Sequence, residues 1–437
     1  MIFNYSDKFI EAEDAVKAVK SNHKVWLHAN SCFPDLLVSK LLERYRELQN
    51  VTFYQLTTFN QADFVEPEMK GHFTLNALFT SGNVRKAVNE GRADFTPAFL
   101  SEIPRMLEES VIPVDVCLLH LSVPDEHGYC SFGVSNECSK IAAECAKIKI
   151  AQINPKMPRV LGDNFIHISK LDYIVWHDKE LIEVKNTTKD LSDEDKAVYD
   201  AIGNNIAELI KDGDTLQMGI GAIPDAVLPL LREKRDLGVH TEMFSDGLVD
   251  LMEAGIVHGS RKNFLKDKVV SSFLIGSKKV FDFVDNNPLI EFRSTKFVND
   301  PFVIARNDNL VSINSAIEVD FTGQVCADSI GYRNYSGFGG QVDFVRGAIR
   351  SKGGRSIIAL PSTAKGGAVS RIVSCLKEGA GVTTSRGDVN FVATEFGVAN
   401  LWGKTMRERV KSMINIAHPD FREELERKAR EVKYLWD

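Results

Sequence analysis

The sequence contains no Cys-x-x-Cys pair and no His-Glu-x-x-His, and its 10 histidines are dispersed, so neither a structural nor a catalytic metal site is expected. The 7 cysteines, Cys32, Cys117, Cys130, Cys138, Cys145, Cys326 and Cys375, are odd in number and lie mostly in apolar context. That pattern excludes a disulfide framework and reads as reduced thiols. A basic excess is missing too: 53 Lys+Arg stand against 60 Asp+Glu, a formal net charge of −7. A nucleic-acid partner usually asks for a basic footprint, so none is expected. No apolar run approaches the roughly 18 residues of a membrane span, and the opening Met1-Ile-Phe-Asn-Tyr-Ser-Asp7 lacks a basic-then-apolar leader pattern. The expectation is a cytoplasmic protein with no membrane contact.

What is present is an average soluble composition, 44% hydrophobic and 26% charged over 437 residues, enough for a large core and more than one domain. Short apolar runs alternate with helical patterns, as in Val25-Trp26-Leu27 followed by Pro34 to Arg44, and Leu216-Gln217-Met218 followed by Pro224 to Arg232. This alternation is the signature of an α/β fold. Between Glu183 and Glu194 the chain turns polar and loses periodicity before an amphipathic stretch from Ala197 to Ile210, which places a domain boundary there. The expected domains are residues 1–185 and 186–437. Lys24 to Asp35 superposes without gaps on Asp214 to Asp225, with the same order of strand, small-residue loop and Pro-Asp at a helix start. Proline costs no hydrogen bond in a first helical turn, so it can stand there in both halves. Two tandem open α/β domains follow.

Several segments could carry chemistry. Gly219-Ile220-Gly221-Ala222-Ile223-Pro224 follows a strand and opens a helix, so its amides can approach an anion or a developing oxyanion. It resembles a dinucleotide fingerprint only in part, because Pro224 replaces the third glycine; a plain tight turn is the alternative. Gly397 to Gly403 resembles a phosphate-binding loop but has one residue too many between its glycines. Gly128-Tyr-Cys-Ser131-Phe-Gly133 misses the nucleophile elbow by one residue before the serine. A second glycine cluster, Ser336-Gly337-Phe338-Gly339-Gly340-Gln341, would let backbone amides face a ligand, while Phe338, Val342 and Phe344 call for burial. In His240-Thr-Glu242-Met243 the glutamate falls in a strand-to-helix turn, the edge where open α/β sheets bind ligands; taken alone, such a carboxylate is usually just solvated.

Taken together, Gly219 to Pro224, His240 to Met243, Asn314 to Gln324, Gly337 to Phe344, Thr394 to Gly403 and Ile416 to Arg422 resemble the acetyl-CoA hydrolase/transferase family of class I CoA-transferases. Pro124 to Tyr129 and Asn154 to Arg159 extend the resemblance to nearly the whole chain. Within the family it is most similar to the branch acting on 4-hydroxybutyryl-CoA or butyryl-CoA with acetate. The resemblance implies two tandem open α/β domains with the active site in the cleft between them, and no tightly bound cofactor. Coenzyme A is then a substrate, carried as acyl-CoA and as a covalent glutamyl-CoA intermediate, and the second substrate is a short-chain carboxylic acid.

The same resemblance makes Glu242 the nucleophile, with amides near Ile220 and Gly340 as oxyanion donors. It implies that Asn299 orients the glutamate, although Asn299 before Asp-Pro is also a natural turn former. Glu395 becomes a second carboxylate of the site or the partner of a nearby arginine. Gly219, Gly221, Gly337, Gly339 and Gln341 are expected around CoA or substrate. Asn154 and Arg159 are expected at the acid's carboxylate or the CoA, Arg159 alternatively tying the domains together. A hydrolase using the same glutamate and a non-catalytic ligand-binding protein are the competing functions. A homodimer or higher homo-oligomer is the expected assembly.

Overall fold

Runs such as Val116–Ser122, in which every residue is buried, are too apolar for a sheet with one wet face and demand cover on both. In the computed structural model, which describes residues 6–184, 191–219 and 221–436, they form parallel sheets. The chain divides into two compact units. The first comprises residues 1–184, 270–298 and 334–339, and the second residues 185–269, 299–333 and 340–437.

The first unit holds a seven-stranded sheet in the order Asp94–Phe95, Phe73–Ala77, Val51–Gln55, Lys24–Leu27, Val116–Ser122, Ile148–Asn154, Tyr173–Trp176. Its pairings are parallel throughout, Val25 facing both Phe53 and Val116. Strand side chains alternate between faces. Accordingly Val25, Leu27, Phe53 and Leu118 enter one core, and Trp26, Tyr54, Leu119 and Leu121 enter the other.

The second unit holds a six-stranded sheet in the order Gly238–Val239, Thr215–Met218, Leu310–Ser315, Arg355–Ala359, Phe391–Thr394, Gly397–Asn400. Only the last pairing is antiparallel, so Gly397, expected to fall outside a phosphate loop, starts a hairpin strand. The chain leaves Thr215–Met218 for one side of the sheet and later returns on the other with Leu310–Ser315. Strand order therefore reverses there, and loops leaving the carboxyl ends diverge, which is where such sheets open a crevice. Helix Ala222–Val227 begins two residues before Pro224, with Gly221 as its N-cap at φ 114°. Pro224 still lies in the first turn, where its missing N–H would have no intrahelical partner. Its counterpart Pro34 is the N-cap of helix Asp35–Glu43. Ile220 lies outside the described residues.

Among the described residues no helix is long and apolar enough to cross a membrane, and no group of three or more His, Cys, Asp or Glu is placed to hold a metal ion. All seven cysteines are free thiols, five of them buried.

Helix Gln341–Arg350 packs on helix Pro301–Ile304 at Gly347, where a Cβ would overlap the Ile304 side chain. Gly347→Val should therefore destabilise the protein by about 1–3 kcal/mol through overpacking. A urea titration should show a lower midpoint with an unchanged slope.

Candidate active site around Glu242

Short strand Gly238–Val239 delivers His240, Thr241 and Glu242 to the carboxyl edge of the second unit's sheet. Thr241 fixes that segment. Its hydroxyl donates to the Met218 carbonyl at 2.9 Å and accepts from the Met218 N–H at 3.3 Å, at the end of the neighbouring strand. Met243 then approaches Gly219, whose would-be Cβ lies 3.8 Å from the Met243 methyl. Glu242 is thus held at the carboxyl edge of the sheet, next to a Met243 that lies against Gly219. Short strand Met243–Phe244 lies between Glu242 and helix Asp246–Glu253, whose N-cap is Ser245.

Asn299 reaches the same carboxylate from a distant part of the chain, its Nδ2 donating to Glu242 Oε2 at 2.8 Å. Asn299 is fully buried. The turn before Pro301 is made by Asp300, which caps helix Pro301–Ile304 by accepting from the Phe302 N–H at 2.8 Å. The side-chain amide of Asn299 is therefore directed to the glutamate. Gly340 is the third partner. It is the N-cap of helix Gln341–Arg350, and its N–H bonds to the Glu242 carboxylate. A Cβ on Gly340 would overlap both Glu242 Oε2 and Asn299 Nδ2, so only glycine allows this approach.

Desolvation pushes the Glu242 carboxyl up from its ordinary 4.5 to about 7, against the opposing pull of the Asn299 and Gly340 hydrogen bonds. The residue as a whole keeps part of its surface exposed. The arrangement is a carboxyl group stripped of most water, titrating near neutrality and aimed by two donors, on a residue that keeps part of its surface exposed. Those are the properties a carboxylate nucleophile needs.

The other candidates are dispersed. Glu395 sits in the tight connection between Phe391–Thr394 and Gly397–Asn400, where both its oxygens accept from Ser362: the backbone N–H at 2.9 Å and the hydroxyl at 2.5 Å. Gln341 donates to the Ser315 carbonyl and accepts from the Thr384 hydroxyl. In the first unit, Gly337 lies against Leu78 and Phe79, and the Gly339 carbonyl accepts from the Leu100 N–H at 3.1 Å. Phe338 stacks edge-on against Phe99.

Asn154 is buried, donating to the Lys179 carbonyl at 2.7 Å and meeting His120 Nε2 at 3.0 Å. Arg159 pairs with Asp125 at 2.6 Å and lies over the Phe165 ring, which ties two sequence motifs together. Neither Asn154 nor Arg159 lines the nearby cavity of about 480 Å³; the intervening Pro155, Lys156, Met157 and Pro158 do, with Leu181 and Phe281. Thr241, Ser362 and Thr384 were not singled out by sequence. Thr241 adjoins Glu242, while nothing in their own neighbourhoods marks Ser362 or Thr384.

Comparison with known proteins bears on this geometry. Residues 3–185 match the acetyl-CoA hydrolase/transferase N-terminal domain and residues 276–429 the C-terminal domain of the same family. Glu242 falls between the two matches. The chain is 50% identical over 421 residues to a 4-hydroxybutyrate coenzyme A transferase of Clostridium kluyveri, covering 96% of this chain and 97% of that one. It is 36% identical to a butyryl-CoA:acetate CoA-transferase of Anaerostipes caccae, covering 99% and 98%. The crystal structure of a 4-hydroxybutyrate CoA-transferase from Porphyromonas gingivalis superposes with a TM-score of 0.84 at 40% identity, covering 98% of each chain.

An acid whose pKa is higher folded than unfolded holds its proton more tightly in the native state. Its contribution favours folding at low pH and is lost as pH rises through about 7. Glu242→Gln should therefore be more stable than the wild type at pH 8, with the difference shrinking toward pH 5. Urea unfolding at the two pH values would test this, and a constant difference would contradict it.

Proposed function

The chain belongs to the acetyl-CoA hydrolase/transferase family and is a CoA-transferase, and from that premise we propose that it moves CoA between 4-hydroxybutyryl-CoA or butyryl-CoA and a free acid such as acetate, with Glu242 as nucleophile. The observation that carries the reading is the desolvated Glu242 carboxylate gripped by Asn299 and the Gly340 N–H. The two acyl groups are those of the relatives' names, and both are small monocarboxylates.

In the first step a Glu242 oxygen attacks the thioester carbonyl carbon. The C–S bond breaks, giving an acyl-glutamyl anhydride and CoA thiolate. The thiolate then attacks the Glu242 side-chain carbonyl carbon, the anhydride C–O bond breaks, and the first acid leaves as carboxylate. What remains is a glutamyl-CoA thioester. A second carboxylate runs the two steps in reverse, restoring Glu242 and forming the new acyl-CoA. No net proton or redox change is required.

Each tetrahedral intermediate places negative charge on oxygen, which backbone donors stabilise without reorganising. The Gly340 N–H is suited to this because it stands at a helix N-terminus, where amides lack intrahelical partners. A second donor near Ile220, with Gly219 and Gly221 flanking it, belongs to the same proposal. Binding of the long CoA chain away from the thioester can supply energy to position the reacting carbonyl. The same proposal takes residues 1–185 and 186–437 as the two domains, a cytoplasmic location and a homodimer, the commonest symmetric assembly.

The family name also covers hydrolases, in which water would replace the acceptor acid at the glutamyl thioester. One experiment separates the readings. Mixing the protein with butyryl-CoA and digesting with trypsin should give a CoA adduct on the peptide from Asp236 to Arg261, discharged by added acetate. Steady CoA release without acetate would indicate a hydrolase. Glu242→Ala should abolish the adduct and lower turnover at least about 10³-fold, as removal of a nucleophile does.

A further inference from the structure

A donor accelerates a reaction only if it is already aimed, and Gly340 has no side chain with which to hold its own peptide. We propose that Gln341 and Thr384 are positioning residues that aim the Gly340 N–H at the Glu242 carboxylate, an inference that rests on the reading of Glu242 as nucleophile.

The geometry is specific. Gln341 is the first residue of helix Gln341–Arg350 and is almost completely buried. Its Nε2 donates at 2.7 Å to the carbonyl of Ser315, the last residue of the central strand Leu310–Ser315. Its Oε1 accepts at 3.0 Å from the Thr384 hydroxyl. Thr384 is fully buried and is itself locked by two backbone bonds to Val325, its N–H donating at 3.2 Å and its carbonyl accepting at 3.0 Å. The side-chain amide thus clips the helix start to two fixed backbones. Gly340 immediately precedes this clip, and its carbonyl accepts the first helical bond from the Phe344 N–H at 3.0 Å. Tilting the first turn would swing the Gly340 N–H from one side of its peptide, whose other end, the Gly339 carbonyl, accepts from the Leu100 N–H at 3.1 Å. This role differs from the substrate contact that the sequence suggested for Gln341.

The test measures single-turnover formation of the Glu242 adduct with butyryl-CoA. Thr384→Val keeps the side-chain shape but removes the hydroxyl. Its maximum rate of adduct formation should fall about 10–100-fold, while the butyryl-CoA concentration giving half-maximal rate stays within about twofold. Thr384→Ser, which restores the hydroxyl, should recover most of the rate. Gln341→Met should reproduce the loss, and the double variant should be no worse than either single one, since both break the same clip. Should Thr384→Val fail to fold, Gln341→Met carries the same measurement.

Wild-type rate in both variants, or a change confined to the half-maximal concentration, would overturn the inference while leaving the Glu242 reading intact. Absence of any adduct in the wild type would instead overturn that reading and the inference with it.

Discussion

Three segments of the second unit meet at one desolvated carboxyl group, that of Glu242, aimed by hydrogen bonds where water is scarce. Desolvation favours the protonated form of the Glu242 carboxyl, and the hydrogen bonds it accepts favour the carboxylate. Burial outweighs the opposing pull of the Asn299 and Gly340 donors and raises the pKa to about 7, so the group titrates near neutrality. Both donors must be delivered without bringing bulk. That explains a glycine at position 340, where any Cβ would occupy the space of the carboxylate and the Asn299 amide.

The fold meets this demand through strand order. Where Thr215–Met218 and Leu310–Ser315 lie side by side, the chain has left in one direction and come back in the other. Three segments distant in sequence then converge on one edge: the Thr241–Glu242 turn, Asn299 and the N-terminus of Gln341–Arg350. Thr241 anchors the first to Met218, and Gln341 anchors the third to Ser315. The two anchoring strands are paired in register, so the glutamate and its donor are referred to one rigid sheet.

Local patterns made the α/β architecture legible, because strands buried on both faces read as continuous apolar runs and helices follow them with proline or glycine at their starts. The residues around Gly340 were legible for a similar reason: three clustered glycines beside aromatics that want burial imply backbone approach. Glu242 stood out less. By itself it was a carboxylate in a turn, and only the ordered set of motifs made it a nucleophile candidate. The contributions of Thr384 and Ser315 were hidden, since a hydroxyl and a carbonyl that act through a single side chain leave no periodicity. The return of residues 270–298 and 334–339 to the first unit likewise has no local signature, being a property of contacts between distant segments. Arg159 was marked by its motif, while its ion pair with Asp125 in another motif had no local signature.

A second buried carboxyl shows why a raised pKa does not identify a nucleophile. Desolvation also pushes Glu137 in the first unit up to about 7. Its oxygens accept from the Ser135 hydroxyl at 3.1 Å, the Ser139 hydroxyl at 2.9 Å and the backbone N–H groups of Cys138 and Ser139. Glu137 also joins residues 270–298 to the rest of the first unit, its carbonyl accepting from the Thr295 N–H at 2.9 Å. The two glutamates thus share a pKa and differ in access: Glu137 is 0% exposed, whereas Glu242 keeps part of its surface open. A carboxylate enclosed by donors at a helix start stabilises that helix and cannot meet a thioester. Of these two glutamates only Glu242 is desolvated at its carboxyl, held by two donors and still on a partly exposed residue, which fits the nucleophile proposed for it.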